Sequence, residues 1–280
     1  MNAPKQADEA FLTDVQTACA DDSIFHLWWL GQSGFLLKWN RRCLLFDPYL
    51  SDSLTRKYAD TDKPHVRMTG RVIAPERLDF IDVVTSSHNH TDHLDAETLN
   101  PLRRVNPHIK IVAPEANRTF VAERLGCDAD GLIGMKDGSR VEMDGFTIEA
   151  LPSAHEELET NERGEHRCLG YVVRFGSWTV YHSGDTVRYE GMAERLKAYR
   201  IDVGLLPING RSAERRVPGN LWGEEAAQLA REAAMRLVIP CHYDMFAFNT
   251  VTPEAFIQEC LRLEQPFRIL ENGERWSSDE

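Results

Sequence analysis

Three histidines and an aspartate fall within six consecutive positions of this 280-residue chain. They are His88, His90, Asp92 and His93, and they follow an apolar run over 80–86. Residues two apart on an extended backbone project to the same side, so His88 and His90 can reach one metal ion. Asp92 and His93 come after the chain turns and can face a second ion. Because imidazole and carboxylate are ligands for zinc, manganese and iron, this segment predicts a metal site.

Three further candidate ligands each come just after a predicted strand, and they are His155, Asp185 and His242. Taken singly, a residue in such a position is more often a capping, turn or core residue. Ligands of α/β proteins gather beyond the carboxyl ends of the strands, however. The shared position of these three residues therefore predicts that they join the histidine cluster.

Strand and helix patterns alternate along most of the chain. Closely spaced strand candidates open each half, and helices alternate with strands after them. The segment 47–74 is predicted to be a loop, and the last strand is expected at 267–270. This order favours an α/β fold in which two sheets pack face to face with helices outside. Residues 1–23 are expected to form a tail and a helix, and residues 24–272 a single domain.

The composition excludes some classes of binding partner and indicates the cellular compartment. A formal net charge of −12 repels phosphate backbones, so nucleic acid is disfavoured. The six cysteines are scattered without a Cys-x-x-Cys pair, which is typical of thiols in a reducing compartment. No secretory leader is recognisable, and no run approaches the ~18 apolar residues of a membrane span. These features predict a cytoplasmic protein without a membrane partner, and they leave open whether identical subunits associate.

The histidine-rich segment resembles a motif of the metallo-β-lactamase superfamily. That motif is His-x-His-x-Asp-His, and it is matched by His88, His90, Asp92 and His93. The resemblance extends over about 24–270. It implies the αββα sandwich of the superfamily, with two mixed sheets between outer helices. It also implies a hydrolase that binds one or two divalent ions, Mn²⁺ or Zn²⁺ and less often Fe²⁺.

The resemblance assigns a role to each candidate ligand. One ion would be held by three imidazoles, those of His88, His90 and His155. The other ion would be held by Asp92, His93 and His242. Asp185 would bridge the two ions, so that Asp92 and Asp185 are also the expected catalytic carboxylates. Asp47 would orient a ligand histidine through a hydrogen bond rather than bind metal itself.

A metal site of this kind implies a mechanism for hydrolysis. Two divalent ions roughly 3.5–4 Å apart can share a water molecule and lower its pKa to near neutrality. The resulting metal-bound hydroxide would attack a carbonyl or phosphoryl group, without a Ser or Cys nucleophile. The leaving group still needs a proton, and Tyr243 and His182 are candidate donors. Packing in the core, or support of a neighbouring ligand residue, is the alternative for both.

Four other segments resemble the L-ascorbate-6-phosphate lactonase branch of the superfamily, which consists of cytoplasmic enzymes that use manganese. They are Trp29–Phe35, Asp47–Ser53, Leu206–Arg211 and His242–Phe246. The resemblance implies a small-molecule substrate, namely a sugar-acid phosphate lactone. Arg211 and Asn209 are then candidates for binding its anionic group, because guanidinium matches phosphate bidentately. A surface ion pair is the alternative for Arg211.

Other functions of the same fold remain as alternatives. A metal-dependent phosphodiesterase would use the same site. A ribonuclease is disfavoured by the acidic charge, and a diiron oxidoreductase would carry Glu in place of His90. Two more histidines, His65 and His166, lie in charged segments and are expected at the surface unless they approach the site.

Overall fold

The computed structural model describes residues 1–280 and contains thirteen strands and seven α-helices. The strands are β1 (Phe25–Gly31), β2 (Gly34–Trp39), β3 (Arg42–Phe46), β4 (Val83–Thr85), β5 (Lys110–Pro114), β6 (Ile133–Met135), β7 (Arg140–Met143), β8 (Phe146–Pro152), β9 (Leu169–Phe175), β10 (Trp178–His182), β11 (Val203–Pro207), β12 (Leu237–Cys241) and β13 (Arg275–Ser277). The helices are α1 (Asp8–Thr17), α2 (Ser53–Lys57), α3 (Ala96–Val105), α4 (Arg118–Leu125), α5 (Met192–Lys197), α6 (Gly223–Glu232) and α7 (Glu254–Leu263).

The strands form two mixed sheets. The first has the order β13-β1-β2-β3-β4-β5-β6, and the second has the order β12-β11-β10-β9-β8-β7. In the first sheet the pairs up to β2–β3 are antiparallel and those from β3 to β6 are parallel. The second sheet repeats this division, with antiparallel pairs from β7 to β10 and parallel pairs from β10 to β12. The predicted two-sheet sandwich is confirmed.

The core lies on both faces of the first sheet, as strand β1 illustrates. Leu27 and Trp29 point into a core of 43 buried residues shared with the second sheet. Trp28 and Leu30 point the other way, into a core of 23 buried residues that includes side chains of α1, α3 and α4. Side chains alternate between the faces of a strand, so β1 must be apolar throughout. On the other side of the sandwich, α6 packs against β11 and β12.

The C-terminal end of the chain differs from the predicted boundary. The sandwich extends past residue 272, because β13 pairs with β1. The expected strand at 267–270 does not form, since Phe267 makes only an isolated bridge to Val238. The N-terminal segment 1–23 lies against the first sheet, where Phe11 of α1 is buried. No helix in the structure combines the length and apolar character needed to cross a membrane.

Candidate metal centre

The turns that follow five strands place the candidate ligands and their neighbours together. These turns carry Asp47 after β3, the segment 86–93 after β4, His155 after β8, Asp185 after β10 and His242 after β12. Asp47 and His242 adopt left-handed backbone conformations, with φ of 38° and 62°. Such conformations cost free energy in non-glycine residues and cluster at functional sites.

Glycine is required in the turn before Asp185. Gly184 has a φ of +60°, and a Cβ atom built on it would lie 2.5 Å from the Cβ of Ser87. That distance is shorter than any van der Waals contact, so only glycine lets the two turns approach. The turn that carries Asp185 is therefore packed directly on the histidine-rich segment.

Two groups of ligand atoms face each other in this region. The imidazoles of His88, His90 and His155 have ligand atoms within 4.8 Å of one another, and so do the side chains of Asp92, His93 and His242. Asp185 lies between the groups. One carboxylate oxygen is 3.3 Å from Nε2 of His93, and the other is 3.2 Å from Nε2 of His242 and 3.6 Å from Nε2 of His155. The structure thus brings all seven predicted ligands together.

The chemistry of these groups fits divalent transition-metal ions. Nε2 of His88, Nε2 of His93 and Oδ1 of Asp185 are buried without a hydrogen-bond partner. A buried polar atom without a partner is costly, and a metal ion would satisfy all three. Imidazole nitrogen and carboxylate oxygen are the donors that zinc, manganese and iron take in proteins.

Asp47 holds one of these imidazoles in place. Its Oδ2 atom is 2.7 Å from Nδ1 of His93, and its Oδ1 atom accepts a hydrogen bond of 3.0 Å from the backbone of Ser87. The Ser87 hydroxyl also donates to this carboxylate. Nδ1 of His93 therefore carries the proton, and Nε2 is left for the ligand cluster. Asp47 thus contacts a candidate ligand through a hydrogen bond, which is the position that the resemblance implies for an orienting residue.

The carboxylates and imidazoles of the centre shift one another's pKa values. Burial lowers the pKa of His88 well below its ordinary value, and His93 and His90 add to this effect. At His242 burial also disfavours the charged form, but the carboxylates of Asp185 and Asp92 outweigh it and raise the pKa to about 9. Asp185 is buried too, yet His242 and His93 hold its pKa well below the ordinary value. A bound cation would take the place of these protons.

A cavity of about 330 Å³ opens over the ligand groups. Aromatic side chains form one wall, namely those of Tyr58, His65, Phe246 and Phe248. Cationic side chains also line the cavity, namely those of Lys57, Arg124 and Arg216. Arg216 is paired with Asp62, whereas Arg124 donates hydrogen bonds to the carbonyl oxygens of Asn89 at 2.6 Å and Leu94 at 3.2 Å. This volume suits a small molecule.

The structure does not bring the two predicted proton donors to this cavity. The hydroxyl of Tyr243 donates to the carbonyl of Leu270 at 3.1 Å, and its ring packs on Trp29 in the core. His182 stacks on Phe46 with ring centroids 5.0 Å apart, and its Nε2 donates to the carbonyl of Ser33 at 2.8 Å. Both are buried core residues that do not line the cavity. The proposed donor roles are corrected accordingly.

The predicted substrate residues also lie outside the cavity lining. Arg211 forms a two-pronged ion pair with Glu225, at 2.6 and 2.7 Å, so its guanidinium is already engaged. Asn209 is buried, and its amide bonds to Asn220 and Asn249, each at 3.0 Å. Of these three asparagines, only Asn249 lines the cavity. Arg211 is thus a surface ion-pair residue, and Asn209 supports a neighbouring side chain.

Three residues of the site were not assigned by sequence reasoning. Gln32 donates from Nε2 to Asp92 at 2.7 Å, and its amide nitrogen is 3.1 Å from Nε2 of His242. Arg124 replaces Arg211 as the guanidinium beside the cluster. His65 lines the cavity, whereas His166 does not. For Gln32 the only signal was its place in the segment Trp29–Phe35.

Comparisons with known proteins give a consistent result. A profile described as a beta-lactamase superfamily domain matches residues 42–243. A UPF0173 metal-dependent hydrolase of Opitutus terrae is 31% identical over 255 residues, covering 89% of this chain and 97% of that protein. Among solved structures, a possible metal-dependent hydrolase of Veillonella parvula superposes with a TM-score of 0.72 at 15% identity, covering 90% of this chain and 98% of the other. The Igni18 metallo hydrolase of Ignicoccus hospitalis superposes with a TM-score of 0.66 at 22% identity, covering 91% and 98%.

Proposed function

Because this chain belongs to the metallo-β-lactamase superfamily and is one of its metal-dependent hydrolases, we propose that it is a lactonase acting on small anionic lactones. A sugar-acid phosphate lactone has the required chemistry. The proposal adds a substrate to the family's general activity, and the lining of the cavity is the observation that carries it.

The cavity combines a small volume with two cationic side chains that have no anionic partner. Neither Arg124 nor Lys57 forms an ion pair, although the protein carries a net charge of −12. The guanidinium of Arg124 is placed beside the ligand cluster by its bond to the carbonyl of Asn89. An anionic group of the substrate would therefore bind here while its carbonyl faces the metal ligands.

The residues of the chain prepare this site for hydrolysis. Divalent ions bound by the seven ligands would lower the pKa of water and polarise the substrate carbonyl. Asp47 fixes the ring of His93, and the carbonyl of Gly219 accepts a bond of 3.0 Å from Nδ1 of His155. Gln32 holds the carboxylate of Asp92. These contacts set the direction of three of the seven ligand side chains before substrate binds.

A phosphodiesterase is the second candidate function, because Arg124 and Lys57 would bind a phosphate as readily as a carboxylate. The two functions are compared by steady-state kinetics on a phosphorylated sugar-acid lactone and on bis-p-nitrophenyl phosphate. Manganese-loaded and zinc-loaded enzyme are both assayed. We expect the lactone to have the higher kcat/KM. A higher value for the diester would contradict the lactonase proposal and support the phosphodiesterase.

Arg124→Gln tests how the anion is recognised. A charge-assisted hydrogen bond contributes about 1.5–3 kcal/mol, so KM for the anionic lactone should rise about tenfold or more. KM for an uncharged lactone should not change. Arg104→Gln is the matched control, since Arg104 is exposed on α3 and outside the cavity lining. Equal effects on both lactones would show that Arg124 only supports the fold of the segment 89–94.

A further inference from the structure

One imidazole in the cavity belongs to neither group of metal ligands. The ring of His65 stacks on Tyr58, with centroids 4.2 Å apart and an angle of 18° between the rings. It also contacts Phe248 at 4.4 Å and the edge of Phe246 at 5.2 Å. Aromatic neighbours on several sides fix the plane of this ring.

The backbone of His65 is held as firmly as its ring. Its carbonyl accepts a hydrogen bond of 2.8 Å from the hydroxyl of Thr55 in α2. The residues that follow pair with the segment after His242, through Ala247 N to Val66 O at 3.0 Å and Met68 N to Met245 O at 2.8 Å. His65 is therefore fixed relative to the turn that carries one of the predicted metal ligands.

The one hydrogen bond of the His65 ring determines which nitrogen carries the proton and which is free to accept one. Nδ1 lies 3.1 Å from the carbonyl oxygen of Lys63, which can only accept, so Nδ1 carries a proton. Nε2 has no hydrogen-bond partner in the protein, and His65 lines the cavity together with Asp92 and His242. In the neutral ring Nε2 thus has a lone pair available to exchange a proton with bound water or substrate.

We propose that His65 transfers the proton that the leaving oxygen needs. In lactone hydrolysis a water oxygen bonds to the carbonyl carbon, and the bond from that carbon to the ring oxygen breaks. Nε2 of His65 takes a proton released by the attacking water and passes it to the departing ring oxygen. The product is a hydroxy acid, which ionises at neutral pH, and the ring of His65 returns to its neutral state. His65 fills the role for which Tyr243 and His182 are misplaced.

The surroundings of His65 suit a group that changes charge during turnover. Burial lowers its pKa from the ordinary value, the carboxylate of Asp92 acts in the opposite direction, and Lys57 and Lys63 add to the lowering. The ring is consequently neutral and able to accept a proton at neutral pH. Proton transfer by a positioned side chain typically accelerates a reaction about 10²–10⁴-fold.

The test uses leaving groups of different basicity, and it rests on the proposed lactonase function. δ-Valerolactone releases an alkoxide that must be protonated, whereas dihydrocoumarin releases a phenoxide that can leave unprotonated. We expect His65→Gln to lower kcat on δ-valerolactone about 100-fold and to have a much smaller effect on dihydrocoumarin. His65→Phe, which keeps an aromatic ring in the stack, should behave in the same way. His108→Gln is the control, because His108 is exposed and outside the cavity lining, and it should leave both rates near wild type.

Metal content and melting temperature are measured for every variant and should equal those of the wild type. Equal losses on both lactones, or no loss on either, would overturn the role of His65. If wild-type enzyme cleaves diesters instead of lactones, the lactonase proposal fails separately. The same comparison is then made with diphenyl phosphate and bis-p-nitrophenyl phosphate, whose leaving groups differ in basicity. A selective loss on diphenyl phosphate would support His65, and an equal loss would overturn it.

Discussion

At the scale of single residues, Asp47 shows how the site depends on side chains that do not bind metal themselves. Its carboxylate accepts from Ser87 and holds Nδ1 of His93 at 2.7 Å. We expect Asp47→Asn to weaken metal binding about 10- to 100-fold, because Ser87 N and His93 Nδ1 donate to different oxygens of Asp47 and an amide has only one oxygen to accept with. A competition titration with a chromogenic chelator measures the affinity.

Asp82→Asn is the matched control for this experiment. Asp82 also accepts from a backbone amide, that of Cys43 at 2.8 Å, but it precedes β4 and lies outside the cavity lining. Its substitution should leave metal affinity unchanged. An Asp47→Asn protein that binds metal as tightly as the wild type would show that Asp47 does not orient His93.

The same scale shows what the sequence could predict of the site. The seven candidate ligands are tied to the ends of strands, and local sequence reveals such positions. Tyr243 and His182 were wrong as proton donors because a residue next to a ligand, or at the end of a strand, often projects toward the other face. Gln32, Arg124 and His65 enter the site through contacts between distant segments, which no local pattern reveals.

At the scale of elements, His26 links two strands of the first sheet to the segment that follows α1. It lies on β1, with Nδ1 at 2.8 Å from the hydroxyl of Ser277 in β13 and Nε2 at 3.1 Å from the carbonyl of Cys19, just after α1. Burial lowers the pKa of His26 below its ordinary value, and the charges of Arg275 and Lys38 add to this. The unfolded chain therefore takes up a proton more readily than the folded protein.

This pKa shift predicts a pH dependence of stability. The contribution of neutral His26 is complete above its ordinary pKa of 6.5 and is lost as the pH falls below that value. In His26→Gln the free energy of unfolding should fall less steeply over this range, by at most about 1.4 kcal/mol per pH unit for one proton. Urea unfolding at several pH values measures it, with exposed His108→Gln as the control. Parallel pH profiles for wild type and His26→Gln would contradict the assignment.

Elements also differ in how well local sequence determines them. Strands β2, β3, β7, β10 and β11 are each a short apolar or alternating run between turn residues, which is a pattern that local sequence reveals. The predicted loop 47–74 contains α2, which is too short for a helical pattern to show. The apolar residues at 267–270 indicated a strand, but the pairing there is limited to one isolated bridge between Phe267 and Val238, in which the amide of Arg268 donates to the carbonyl of Val238. A buried apolar side chain therefore does not ensure that the backbone pairs with a neighbouring strand.

At the scale of the whole molecule, the two sheets meet so that turns from both contribute to one centre. Asp47, His88 and His93 follow strands of the first sheet, and Asp185 and His242 follow strands of the second. Neither sheet alone holds both groups of ligands. The sandwich is therefore the structure that assembles the site.

The ratio of metal to protein is the most direct test of this centre. Metal-free protein is reloaded with Mn²⁺ or Zn²⁺, dialysed and analysed by plasma mass spectrometry, alongside His155→Ala and His242→Ala. Since the ligands form two groups, we predict two ions per wild-type chain and a loss of metal in each variant, from a different group in each case. Wild-type protein that cannot be loaded, or variants that retain the wild-type ratio, would contradict the assignment of these side chains as metal ligands.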